Sequence, residues 1–120
     1  MLRRQALINL VLVAMLAVRF DIASAAPDGR WQLTAEDWSR PRSGDAIREM
    51  PGIRQAVNAW MEDQSATIVI TYPGGETGLL WAQEVSSWLV ALGVPGEHLL
   101  TRSGSPEEGL VLLELLDTLP

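Results

Sequence analysis

The chain contains no cysteine and no lysine, and only one histidine among its 120 residues. Without cysteine it can form no disulfide and carry no lipid on an N-terminal cysteine, so its core alone must hold the fold. Zinc sites need several cysteine or histidine ligands, and we therefore expect neither a bound metal nor any other cofactor. No G-x-S-x-G elbow or other nucleophile motif is present, and the single histidine, His98, follows a glycine turn. These absences predict a protein that is not an enzyme.

The charge of the chain is strongly acidic once the first 25 residues are set aside. From Ala26 onward there are six arginines and fourteen carboxylates, so the formal net charge is 6 − 14 = −8. Such a surface repels nucleic-acid phosphates and anionic lipid heads, which excludes nucleic acid as an expected partner. Cationic partners and neutral glycans stay open.

The N-terminus has the three zones of a secretory signal. Arg3 and Arg4 precede an apolar run at residues 6–18, and small residues follow at 22–26. The apolar run is shorter than the roughly 20 residues of a membrane span, which disfavours the alternative of an uncleaved anchor. We expect cleavage near Ala25 and a periplasmic protein that is not inserted in the membrane after cleavage.

Residues 26–120 are predicted to form one α+β domain, a two-layer α/β sandwich of order β-α-β-α-β-β. Strands alternate with helices, and crossover connections then pack the helices against one sheet. The predicted elements are an extended segment at 31–33, a helix start at Ser43, a helix at 51–62, a strand at 67–71, a helix at 76–92 and a short strand at 98–102. The last apolar run, 109–116, fits a strand or a helix, and its valine and short length favour a strand.

The connection between the central strand and the following helix is the strongest candidate for ligand binding. Its glycines let the backbone bend closely, and the free amides at the start of a helix can receive an anion. Arg102 is a candidate source of positive charge. The alternative is a simple tight connection, and the absence of lysine excludes a nucleotide P-loop. The candidate ligand-binding residues are Tyr72, Gly74, Gly75, Glu76, Thr77 and Arg102.

The five tryptophans divide into two groups. Trp60, Trp81 and Trp88 fall on helical faces and are predicted to be core. Trp31 and Trp38 lie in a less regular stretch, where they either pack at the core or sheet edge or form an exposed partner surface.

The stretch from Leu80 to Val94 resembles the OmpA-like periplasmic domain, a family that binds peptidoglycan. The positions that match its helix pattern are Ala82, Val85, Leu89, Gly93 and Val94. The resemblance extends over about residues 31–116 and implies the fold and a location in the cell envelope. The family's ligand arginine falls on Trp81, and its strand-end aspartate is replaced by the Tyr72-Pro73-Gly74-Gly75 turn.

Three functions follow from these patterns. The first is a non-enzymatic periplasmic module that contacts an envelope protein, as an accessory of an envelope or secretion-type assembly. The second is a peptidoglycan-binding OmpA-like domain that uses the Gly74-Gly75 loop and Arg102. The third is a small periplasmic enzyme or inhibitor, which requires a pocket with convergent polar groups.

Overall fold

A computed structural model describes residues 29–117, so the predicted export signal lies outside the described residues. The strands are β1 (Arg30–Thr34), β2 (Thr67–Tyr72), β3 (Leu99–Ser103) and β4 (Leu110–Leu116). The helices are α1 (Ala35–Trp38), α2 (Gly44–Glu49), α3 (Pro51–Glu62) and α4 (Glu76–Ala91), and a 3₁₀ turn at Gly96–His98 precedes β3. The predicted α+β class is confirmed.

The four strands form one mixed sheet in the order β1-β4-β2-β3. β4 runs antiparallel to both of its neighbours, while β2 and β3 are parallel and are connected by α4. The last apolar run of the sequence is therefore a strand, and it pairs on both sides inside the sheet.

Local signals set the helix boundaries. The Ser43 hydroxyl accepts a hydrogen bond from the Ala46 amide at 3.1 Å, which caps α2, and Pro51 occupies the first turn of α3. At the end of α4, Gly93 has a φ of 110°, and the Val94 amide donates to the Leu89 carbonyl at 3.0 Å. This is the glycine-dependent helix ending that the sequence predicts.

One helix was not expected from the sequence. Residues 35–38 form a single turn, α1, directly after β1, where the sequence predicts only a chain leading to a turn. The Thr34 hydroxyl accepts from the Asp37 amide at 3.2 Å and caps this turn. A four-residue helix is too short to show a hydrophobic period, so only its cap could have indicated it.

The core lies between the helices and one face of the sheet. Alternate residues of the central strands, Ile68 and Ile70 of β2 with Val111 and Leu113 of β4, point to this face and are fully buried. The helical residues in the same cluster are Trp38, Ile47, Ile53, Ala56, Trp60, Trp81, Ala82, Val85 and Leu89. The other face of the sheet, called here the open face, carries the intervening residues of all four strands.

Candidate functional site

The predicted ligand loop lies at the carboxyl end of β2, where it leads into α4. Tyr72 is the last residue of β2 and packs against the core, and Glu76 is the first residue of α4. Gly75 has a φ of 93°, a conformation that favours glycine, and open space surrounds both Gly74 and Gly75. Glu76 and Thr77 are exposed, so the loop is accessible to solvent.

A close contact inside this loop explains a further glycine. A Cβ atom at Gly78 would lie 1.6 Å from the Pro73 carbonyl oxygen, so no other residue fits without a backbone shift. The amides of Gly104 and Ser105 donate to the Tyr72 carbonyl at 3.0 and 3.1 Å and join the β3–β4 connection to the same strand end. These contacts pack the loop closely against the start of α4 and the β3–β4 connection.

Arg102, the other predicted ligand residue, contacts the open face of the sheet. It lies on β3 opposite Thr71, and its Nε atom donates to the Thr71 hydroxyl at 3.2 Å. Its Nη2 atom is 3.7 Å from the Glu114 carboxylate on β4. Among residues 29–117, its hydrogen bond and ion pair are with Thr71 and Glu114 and not with Gly74 or Gly75. The structure thus brings Arg102 to a different set of partners from the one predicted.

Sequence reasoning missed two members of this set. Arg30 on β1 donates from Nε to the Glu114 carboxylate at 3.1 Å, so Glu114 lies between two arginines. A groove of about 820 Å³ includes these three side chains together with Gln32, Thr71 and Leu112. The sequence feature that could have indicated this cluster is the charged Glu114 within an otherwise apolar strand. Its partners come from the first and third strands, and only the strand order places them together.

The two tryptophans proposed as a partner surface are placed differently from each other. Trp38 is only 6% exposed, so its ring belongs to the core, which was the other alternative left by the sequence. Its indole N–H donates to the Glu84 carboxylate at 3.1 Å, and the Arg42 guanidinium lies 5.3 Å from its ring centre. Trp31 is half-buried and packs against the edge of the core.

Trp81, which takes the position of the OmpA-like ligand arginine, is also buried. Its ring centre lies 6.4 Å from that of Trp38, and its indole N–H has no hydrogen-bond partner within residues 29–117. This position therefore serves packing between α1 and α4.

His98 has a structural role in the fold. Its Nδ1 atom donates to the Ala66 carbonyl at 3.0 Å, and the same carbonyl accepts from the Trp60 indole N–H at 3.1 Å. Between residues 29 and 117, no group of three or more histidine, cysteine, aspartate or glutamate residues is arranged to hold a metal ion.

Two carboxyl groups interact at the rim of the sheet, Asp63 after α3 and Asp117 after β4. A hydrogen bond to Asp63 and the charge of that neighbour raise the pKa of Asp117 above its ordinary value. Hydrogen bonds from Ser65 and from Asp117 lower the pKa of Asp63. This arrangement follows from like charges that share a proton at an exposed site.

Within the described part of the chain, no helix has the length and apolar character needed to cross a membrane. No model of a known protein family matches the chain, and no curated protein matches it.

Proposed function

We propose that this protein is an exported, non-enzymatic module that binds a protein partner of the cell envelope through the free edge of its sheet. The observation that carries the proposal is that one edge strand of the sheet is covered by a helix, whereas the other is exposed. One edge is β1 and the other is β3.

The β1 edge is occupied by the start of α3. A Cβ atom at Gly52 would lie 2.8 Å from the Gln32 carbonyl oxygen, so the helix backbone packs directly against the strand. Such a covering protects an edge strand from pairing with another chain.

The β3 edge has no such covering among residues 29–117. β3 pairs only with β2, four of its five residues are exposed, and Leu100 is 42% exposed. An edge of this kind accepts an added strand, with main-chain hydrogen bonds providing affinity and alternate side chains providing specificity. Because β4 is central, β3 is the edge available to a partner.

Export is the second part of the proposal. Its support is the sequence pattern of residues 1–26, a positive start, a short apolar run and small residues before Pro27. The acidic charge of the remaining chain agrees with a soluble periplasmic module. The two-layer arrangement that the sequence predicts is supported by the helices and the core sharing one face of the sheet.

The test is site-specific photocrosslinking in a Gram-negative bacterium that expresses the full chain. A photoreactive amino acid replaces Leu100 on the free edge or, as the matched control, exposed Asp45 on α2. We expect a discrete protein adduct in the osmotic-shock fraction from position 100 and none from position 45, and Leu100→Lys should compete poorly for the same partner. The absence of an adduct at position 100, or equal adducts from both positions, would contradict the proposal.

Sedimentation with peptidoglycan sacculi separates the main alternative. If the protein is retained by sacculi and gives no protein adduct, the peptidoglycan-binding hypothesis replaces this one.

A further inference from the structure

The open face of the sheet carries two arginines on either side of one carboxylate. Arg30 on β1 lies directly opposite Glu114 on β4. Arg102 lies on β3, two strands away from β4 and level with Thr71 of the intervening β2, so it reaches Glu114 diagonally. These three side chains form a charged row that crosses the sheet obliquely. Arg30 Nε is 3.1 Å from one Glu114 oxygen and Arg102 Nη2 is 3.7 Å from the other.

Within residues 29–117, most of the hydrogen-bond donors of these guanidinium groups have no partner. A guanidinium has five N–H donors arranged to hold a carboxylate by two parallel bonds. Toward the described part of the chain, Arg30 donates from Nε to Glu114, and Arg102 donates from Nε to Thr71. The 3.7 Å contact of Arg102 is longer than a hydrogen bond, so neither arginine holds Glu114 in the two-bond geometry.

The local charge of this row is opposite to that of the rest of the domain. Two arginines and one glutamate give 2 − 1 = +1, whereas residues 29–117 as a whole carry six arginines and thirteen carboxylates, or 6 − 13 = −7. The guanidinium groups remain accessible, since the side chain of Arg30 is 73% exposed and that of Arg102 is 47% exposed. This row can therefore attract an anion at short range.

The groove beside the row has room for a small molecule. The groove has a volume of about 820 Å³, which is in the range of small-molecule sites, and part of it lies against the start of α3 at residues 51–55. Beside the two arginines it is lined by polar Gln32 and Thr71 and by apolar Leu112. Polar groups that converge above an apolar residue are typical of a site that orients a ligand with one charged end.

We propose that this groove binds a small ligand through a carboxylate group, with the unused N–H donors of Arg30 and Arg102 as its two clamps. In the unliganded protein, Glu114 holds the two arginines in place and competes weakly with the ligand for them. This site differs from the β3 edge that carries the proposed function, so either can fail without the other.

The proposal makes an unusual forecast for Glu114. Glu114→Gln leaves both arginines but removes the competing charge, so the affinity for a carboxylate should rise by about tenfold, as expected for one unit charge a few ångströms away near a surface. In a purely structural ion pair, the same change would create no binding.

The experiment is ¹⁵N NMR of the arginine Nε–H signals in protein produced from the full chain. Succinate and acetate are titrated at constant ionic strength against chloride, and inorganic phosphate serves as a tetrahedral anion. We expect saturable shifts of the Arg30 and Arg102 signals with succinate, tighter binding in Glu114→Gln and at least a tenfold weaker affinity in Arg102→Gln. Arg48→Gln is the matched control, because Arg48 is an exposed arginine of α2 paired with Asp45, and it should bind like the unaltered protein.

Shifts that do not saturate, or that are equally large with chloride or at Arg48, would overturn the proposal. Equal affinity for phosphate would overturn the carboxylate class. If Glu114→Gln loses its folded amide spectrum, Arg30→Gln provides the second test and must weaken succinate binding as Arg102→Gln does; unchanged binding there would also contradict the proposal.

Discussion

Neighbouring residues of β4 point to two different environments. Val111 and Leu113 face the helices and are fully buried, whereas Leu112, Glu114 and Leu116 face the open side and are half-buried. On β2, Ile68 and Ile70 also face the helices, while Val69 and Thr71 face the open side, where Val69 is fully buried and Thr71 is half-buried. Both faces belong to one sheet with one set of backbone hydrogen bonds, so the difference between them lies in the side chains and their neighbours.

Because of this difference, the covered face mainly determines the stability of the fold, whereas the open face offers side chains that can bind a ligand. On the covered face each side chain meets helices, and any change of volume must be absorbed by close-packed neighbours. On the open face the charged row of Arg30, Glu114 and Arg102 has solvent beside it, so side chains there can change partners at low cost. Substitutions should therefore cost much more on the first face than on the second.

The largest effect is expected where α4 presses on the end of β2. Gly78→Ala places a Cβ atom 1.6 Å from the Pro73 carbonyl oxygen, and no rotamer change can relieve a backbone contact. We expect a loss of about 4 kcal/mol or more in the free energy of unfolding, measured by urea denaturation. Gly74→Ala, with open space around it, is the control and should change stability by less than about 1 kcal/mol. Similar losses for both variants would show that the contact is not rigid.

A pair of leucines on β4 compares the two faces directly. Leu113→Ala leaves a cavity among core side chains and should lower the free energy of unfolding by about 2 to 5 kcal/mol. Leu112→Ala, one residue earlier on the open face, should cost about 1 kcal/mol or less. Urea denaturation of both variants measures the difference. Equal costs would mean that the open face is packed as tightly as the covered one.

Two buried tryptophans sharpen the description of the covered face. Trp60 donates its indole N–H to the Ala66 carbonyl at 3.1 Å, whereas the indole N–H of Trp81 has no hydrogen-bond partner in the described part of the chain. Replacing either tryptophan by phenylalanine removes a similar volume, but only the replacement of Trp60 also removes a hydrogen bond. We expect Trp60→Phe to cost about 1 to 2 kcal/mol more than Trp81→Phe in urea denaturation. The reverse order would imply that Trp81 finds a partner in solution.

The covered face was largely predictable from the sequence. The spacing of Ile53, Ala56 and Trp60 predicts the buried side of α3, and the helix occupies the expected residues 51–62. The β-branched run at 67–71 predicts β2, which extends one residue further. These signals are local, because a buried stripe and a strand period appear within one element.

The open face was not predictable in the same way. Its charged row joins residues separated by as many as 84 positions, and only the insertion of β4 between β1 and β2 brings Arg30 to Glu114. The sequence indicated Arg102 as a candidate but predicted that it acts with the glycine loop. Its actual neighbours depend on the register between β2 and β3, which the sequence alone does not show. The free edge at β3 depends on the same strand order, which no local pattern contains.

The smallest effect is expected for the two interacting carboxyl groups, Asp63 after α3 and Asp117 after β4. The raised pKa of Asp117 means that its contribution to stability is fully present below its unfolded pKa near 3.8 and is lost as the pH rises through its folded pKa. At neutral pH the two carboxylates repel each other, and Asp117→Asn should raise the thermal midpoint slightly. The lowered pKa of Asp63 stabilises the fold above the unfolded pKa of that group, and this stabilisation is lost as the pH falls. Because the hydrogen bond from Ser65 is the main cause of the lowered pKa, most of this stabilisation should remain in Asp117→Asn. Thermal unfolding of both proteins between about pH 3 and pH 7 should therefore show a gain at pH 7 that disappears in acid. A gain that persists unchanged at pH 3 would mean that the repulsion between these two groups is not its source.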